Sequence, residues 1–162
     1  MMDQIKPERL YFDTYIQLLH NSIGSNLFRN FYVSTPDQGK FDALDDGHNS
    51  CAFFVSSVLV IFKKLSGIHG TVENTISDLI ESGWIEVQEQ KEGDVILWEA
   101  QEFDDGKKAH IGFSIGNNLA ISISATKKTP VMHSDTFEGT RAINSILRQT
   151  NWSDLKRRQV IA

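Results

Sequence analysis

The sequence predicts an α+β domain in which helices come first and an antiparallel sheet of four to six strands follows. Three observations predict it. The run Cys51–Leu65 (C-A-F-F-V-S-S-V-L-V-I-F-K-K-L) is fifteen residues long, mostly apolar and free of Pro and Gly. That is long for a strand and ordinary for a helix. The segments on either side of it carry apolar residues at helical spacing. Beyond Gly93 the pattern changes to short apolar runs separated by Gly, Asn and Asp, and Leu119–Ser124 (L-A-I-S-I-S) alternates strictly.

From Pro7 to Ser22, Leu10, Phe12, Tyr15, Ile16, Leu18 and Leu19 fit an amphipathic helix, extendable to Phe31 with a break near Gly24. Ser34 to Asn49 reads as a long irregular loop, because Pro36, Gly39, Gly47 and five aspartates and asparagines crowd it. The central helix follows at Cys51, with Ser56, Ser57, Lys63 and Lys64 on one narrow polar stripe and the rest buried. S-G-I-H-G stops it and leaves His69 in an exposed connector. Thr71 reads as an N-cap without a capping box, because Asn74 stands where Glu would close one. Val72, Ile76, Leu79 and Ile80 make a second helical face ending at Gly83. Trp84–Gln90 is short and polar, a loop with one turn of strand.

The strands come next. Gly93-Asp94 is a turn leading into Val95–Trp98, and Asp104–Lys108 is a charged hairpin tip. His110–Ile115 is a strand that His110 opens at the rim of the sheet, and Gly116-Asn117-Asn118 turns into Leu119–Ser124. Thr129–His133 and Ala142–Leu147 add further strands to a meander.

The chain has 162 residues, which suits a single domain over 1–162. Its net charge of -5 argues against a nucleic-acid surface, and the basic triplet Lys156-Arg157-Arg158 reads as a solvated end. No stretch reaches the roughly 18 apolar residues of a membrane span. The N-terminus, M-M-D-Q-I-K-P-E-R-L, carries charge with no apolar stretch behind it. The chain as written therefore reads as cytoplasmic, or as secreted where a leader has been removed. One cysteine excludes an internal disulfide and leaves the redox compartment open. The pattern leaves the oligomeric state open as well.

That cysteine is the candidate nucleophile. In the first turn of a helix, unpaired N–H groups and the dipole favour an anion. They lower a thiol from about 8.5 toward roughly 3.5–7.5. The plain alternative is packing, since free cysteine is among the most buried residue types. A base is needed, and of His20, His48, His69, His110 and His133 the best placed is His110. A strand edge facing the first turn of a buried helix can pair a thiol with an imidazole from a distant position. His133 reads as a solvated strand-end residue.

Cys51-A-F-F-V, Gly93-Asp94-V-I-L and His110-I-G-F-S-I-G-N, in that order, resemble the NlpC/P60 superfamily of papain-like cysteine peptidases, with the CHAP amidases as the nearest branch. The resemblance runs from about Asp45 to Ser124. It implies a papain-like fold with the cysteine on a buried central helix against the sheet. It also implies a bacterial cysteine peptidase or amidase that cuts peptidoglycan stem peptides next to a D-glutamyl residue, without a cofactor.

Two departures stand out. Ser50 replaces the family's Asp, and Ala52-Phe53 replace Ser-Gly. The third, orienting position falls on Ser122, with Ser124 two residues on, where the family more often has His, Asn or Gln. Register decides whether Ser122 serves. A two-residue Asn117-Asn118 turn would point both serines away from the His110 face, and an odd loop would not.

The mechanism implied is proton transfer from Cys51 to His110, thiolate attack on an amide carbonyl, and hydrolysis of the thioester. The oxyanion would meet the Cys51 N–H and a side chain of the preceding loop, His48 or Asn49. Asp42, Asp45 and Asp46 are candidates for receiving a free α-amine. A degenerate copy acting as a binding module is the rival. A metal site from Cys51, His48, His110 and His133 lacks the usual ligand spacing.

Overall fold

The computed structural model describes residues 5–153, so the basic triplet lies outside the described residues. Among these the chain forms α1 (Tyr11–Ser22), β1 (Tyr32–Thr35), β2 (Gly39–Asp42), α2 (Cys51–Ile61) and α3 (Val72–Glu81). There follow β3 (Ile85–Val87), β4 (Val95–Phe103), β5 (Gly106–Gly116), β6 (Leu119–Ile123), β7 (Pro130–Ser134) and β8 (Ile143–Arg148). The architecture is α+β, with one six-stranded antiparallel sheet and a separate β1–β2 hairpin. No described helix is long and apolar enough to cross a membrane.

The sheet order is β3-β8-β4-β5-β6-β7. Only β4 to β7 form the expected meander. The last strand does not continue it but returns to the far side of β4, where Leu147 pairs with Val95 and Ile146 with Ile96. Arg148 locks that return. Its Nε and Nη2 donate to the two oxygens of the buried Asp94 carboxylate at 2.8 and 2.7 Å. Asp94 also accepts from the Lys91 N–H at 2.6 Å. Gly93 beside it has φ +90, and a Cβ there would lie 2.7 Å from the Phe12 ring. The Gly93 carbonyl accepts from the Tyr15 hydroxyl at 2.9 Å. Gly93-Asp94 is thus a clamp joining α1, β4 and β8.

The central helix packs on β5 and β6. The Phe54 and Phe113 rings meet edge to face at 5.4 Å, and Phe28 closes on Phe54 at 4.8 Å. Val55 and Val58 are fully buried, so tertiary burial overrides the weak helix preference of β-branched residues here. The helix stops at Ile61 rather than Leu65, because Lys63 turns left-handed at φ +55. Lys64, expected on the polar stripe, is buried instead. Its ammonium donates to the Asn151 carbonyl at 2.5 Å and lies over the Trp152 ring. Ser56 is buried too, donating to the Ala52 carbonyl at 2.8 Å and accepting from the His69 N–H at 2.9 Å.

Other boundaries shift for local reasons. The first helix begins at Tyr11 rather than Pro7, and it ends at Ser22, after which Gly24 turns left-handed. The irregular stretch from Ser34 contains the β1–β2 hairpin, closed by Pro36-Asp37-Gln38 and by Gly39 at φ +67. The Thr71 hydroxyl caps α3 by accepting from the Asn74 N–H. His69 is not an exposed connector residue. It is half-buried, with Nε2 2.6 Å from the carboxylate of Asp78. Trp84–Gln90 contributes an edge strand, β3, paired with β8.

Candidate active site

Cys51 is the first residue of α2, and its side chain opens on a cavity of about 710 Å³. The backbone N–H groups of Ile111, Ala52 and Cys51 lie near enough to the sulfur to favour its anion. Ladder pairing between β5 and β6 stops at Phe113↔Ile121. Closer to His110, the first turn of α2 comes against β5, and the Ile111 amide lies near the thiol. Burial nevertheless pushes the Cys51 thiol up, against the lowering pull of those three amides and of the Arg141 charge. The expected depressed thiol is therefore corrected: desolvation outweighs the helix terminus.

His110 does not open its strand. β5 begins four residues earlier, at Gly106, and His110 pairs with Trp98 of β4. Its ring lies 5.3 Å from the Trp98 ring, on the face that carries Ile96 and Ala120. Ile111 and Phe113 alternate to the helical side, within the main core. Thiol and imidazole thus come from the two sides of β5 and share the cavity. They are not hydrogen-bonded to each other; the ring bonds to Ser122. Gly112 makes that bond possible. A Cβ at position 112 would lie 2.7 Å from the Ser122 Cβ and 3.0 Å from the Trp98 ring.

Register was the obstacle for Ser122. The turn is the two-residue one, with Asn117 and Asn118 both left-handed (φ +53 and +58), as a type I′ hairpin requires. Alone it would turn Ser122 away. A bulge restores the parity: Ser114 pairs with Ala120 but Gly116 with Leu119, so β5 carries one extra residue. Even-numbered residues of both strands then share a face.

The hydrogen bonds there fix the protons. His133 Nδ1 lies 2.7 Å from the Ser134 carbonyl, which can only accept, so a neutral His133 carries its proton on Nδ1. Its Nε2 is then an acceptor and takes the Ser122 hydroxyl proton at 2.7 Å. The Ser122 oxygen in turn accepts from His110 Nε2–H at 2.9 Å. A neutral His110 is left with an unprotonated Nδ1, the lone pair a general base needs. Burial, with the Arg141 and His133 charges, pushes His110 down to about 3. Burial lowers His133 as well, against the opposing pull of the Ser134 carbonyl and Asp135. Both rings are neutral at pH 7.

The loop after β7 completes the site. Phe137, Glu138 and Gly139 are successive left-handed residues, φ +51, +57 and +80. Such conformations cost a side-chain-bearing residue about 1–2 kcal/mol each. They bring the Phe137 ring flat onto His133 at 4.0 Å and within 5.7 Å of His110. The same loop carries Arg141, which donates to the Glu99 and Lys108 carbonyls, both at 2.8 Å. A polar loop with one Phe and one Arg has no periodicity, so nothing in its pattern marks it.

The remaining sequence candidates divide. His48, Asn49 and Ser124 line the cavity. The Asn49 amide oxygen accepts from Lys108 Nζ at 3.1 Å, and the Ser124 hydroxyl is taken up by the Lys127 N–H of its own turn. Ser50 precedes α2 but does not cap it; its hydroxyl donates back to the Gly47 carbonyl at 3.0 Å. Asp42 is not available to an amine. Despite partial desolvation, its bonds to the Phe31, Asp46 and Leu44 N–H groups and the Asn30 amide hold it low, at about 2. Asp46 is taken by Arg29 and Lys128. His133, expected as a solvated strand end, is a half-buried member of the network. Among the described residues, no three of His, Cys, Asp and Glu converge as a metal site.

No protein-family model matches the chain, and no curated protein matches it.

Proposed function

We propose that the protein is a cysteine peptidase or amidase of the NlpC/P60 type, acting on peptidoglycan stem peptides. One observation carries the reading: Cys51 and His110 open on one cavity, with the His110 Nε2–H committed to Ser122 and Nδ1 left free. His110 Nδ1 takes the thiol proton as Cys51 Sγ attacks the amide carbonyl. The amide N–H groups around the sulfur are the donors at hand for the developing oxyanion. The amine leaves with the proton from His110, and a thioester remains. Water, deprotonated by His110, then releases the acid and restores the thiol. Because thiol and imidazole are both neutral at rest, the base acts within the attack step rather than through a stored ion pair.

The test is amine release from stem peptides carrying a D-glutamyl residue. Wild type releases it, while C51S and H110A do so at least about a thousandfold more slowly. Equal rates in the three proteins refute the reading.

A second reading is a binding module without turnover. It is favoured by the lack of a Cys51–His110 hydrogen bond and by the raised thiol. It predicts stem-peptide binding that C51A leaves intact and no release of amine by the wild type.

A further inference from the structure

Among the described residues, no carboxylate pairs with Arg141. Ion pairs among the described residues account for Arg29, Lys108, Lys128 and Arg148, whereas the Arg141 guanidinium is held only by two carbonyls, Glu99 and Lys108. The side chain is half-buried and lines the same cavity as Cys51 and His110. Of the cavity's other charges, Lys108 is matched by Asp105 at 2.6 Å, and Glu73 and Lys107 are exposed. A strained loop delivers it, and the Thr136 carbonyl receives its backbone N–H at 3.1 Å. Its charge reaches both the thiol and the imidazole. A half-buried guanidinium fixed by neutral acceptors, facing an open cavity, has remaining N–H donors for an anion.

We propose that Arg141 is a substrate-anchoring residue, binding a carboxylate that the substrate carries beside the bond Cys51 attacks. This rests on the hydrolase reading for its substrate and deepens it: the ligand is an anionic peptide, and an amidated peptide is a poor one. Guanidinium rather than ammonium suits the task because two of its donors are already occupied while others remain in plane.

The test uses two alkylating probes of one size, iodoacetate and iodoacetamide, on the whole protein. The ratio of their rates at Cys51 is compared with that of free cysteine, and C51A serves as the blank. In wild type the ratio favours iodoacetate by at least about tenfold over free cysteine. R141Q removes the preference, and R141K, checked for folding by thermal unfolding, keeps part of it. A wild-type ratio equal to that of free cysteine, or one that R141Q leaves unchanged, overturns the proposal. So does a thiol unreactive to both probes, since the subsite would then be closed to a carboxylate.

The probes also separate this proposal from the one it rests on. Anion preference without amine release means the subsite stands and the hydrolase reading falls. Amine release with no discrimination between free-acid and amidated peptides means the reverse.

Discussion

Replacing Ser122 by alanine tests the proton network directly. The Ser122 side chain is fully buried, and its one hydroxyl makes two bonds: it accepts from His110 Nε2–H at 2.9 Å and donates to His133 Nε2 at 2.7 Å. Removing it leaves a donor and an acceptor unpaired. Each buried unsatisfied group costs about 1–3 kcal/mol, and water from the adjoining cavity can recover part of that. The expected loss of stability is therefore roughly 2–4 kcal/mol. The catalytic loss is separate. Without its partner the His110 ring loses an orienting bond of about 1–1.5 kcal/mol and its fixed tautomer, which is about tenfold in kcat at 1.36 kcal/mol per decade. KM should not change. The assays are urea unfolding, amine-release kinetics and ¹⁵N imidazole NMR. In the wild type at pH 7 the spectrum should report Nε2–H for His110 and Nδ1–H for His133. A variant that loses stability but keeps kcat within twofold, or a wild-type His110 protonated on Nδ1, refutes the reasoning.

Three other outcomes follow from the same geometry. His110 titrates at about 3 in the folded protein against about 6.5 unfolded, so its contribution to stability is complete above about 6.5 and is lost as pH falls toward 3. Urea unfolding at pH 7 and pH 5 should show wild type losing up to about 1.4 kcal/mol per pH unit from this group, a loss absent in H110Q; equal losses in the two proteins would contradict it. G112A places a Cβ 2.7 Å from the Ile121 carbonyl and the Ser122 Cβ. It should cost about 1–3 kcal/mol, or roughly 3–9 °C in Tm, and lower kcat with it; an unchanged Tm would show that the strands have room. D78N removes the charge that His69, Ser66, Gly67 and Ser82 all bond, and should cost about 2–4 kcal/mol in urea while leaving the Cys51 alkylation rate of the folded protein unchanged.

The helices and most strands were legible because each has a period and a stop. Cys51 to Ile61 announces itself by an unbroken apolar run, and Leu119 to Ile123 by alternation. The β1–β2 hairpin was hidden because both strands are short and largely exposed, so burial wrote no alternation into them. The place of β8 beside β4 is fixed by their strand ladder and by the ion pair of Arg148 with Asp94, which links positions 54 residues apart. No local pattern encodes it. In the site, sequence order drew attention to Cys51, His110 and Ser122. It missed Arg141 and Phe137, whose positions depend on consecutive left-handed residues that composition does not signal. The thiol was misjudged because a helix terminus is visible in a sequence and desolvation is not.

The hairpin between β5 and β6 shows why spacing alone could not settle the third residue. Side chains alternate along a strand, so twelve residues from His110 to Ser122 put both on one face only when the connection has the right parity. Asn117-Asn118 gives the wrong parity, and the left-handed pair suits the two-residue turn too well to be a longer loop in disguise. The correction comes from the bulge at Gly116, φ +76, where one extra residue in β5 turns the strand by a single step. Gly112 then lets Ser122 close on the imidazole, and the ladder lapses just where the Ile111 amide lies near the sulfur. One inserted residue thus sets which face Ser122 joins and, through it, which nitrogen of His110 is free to act as base.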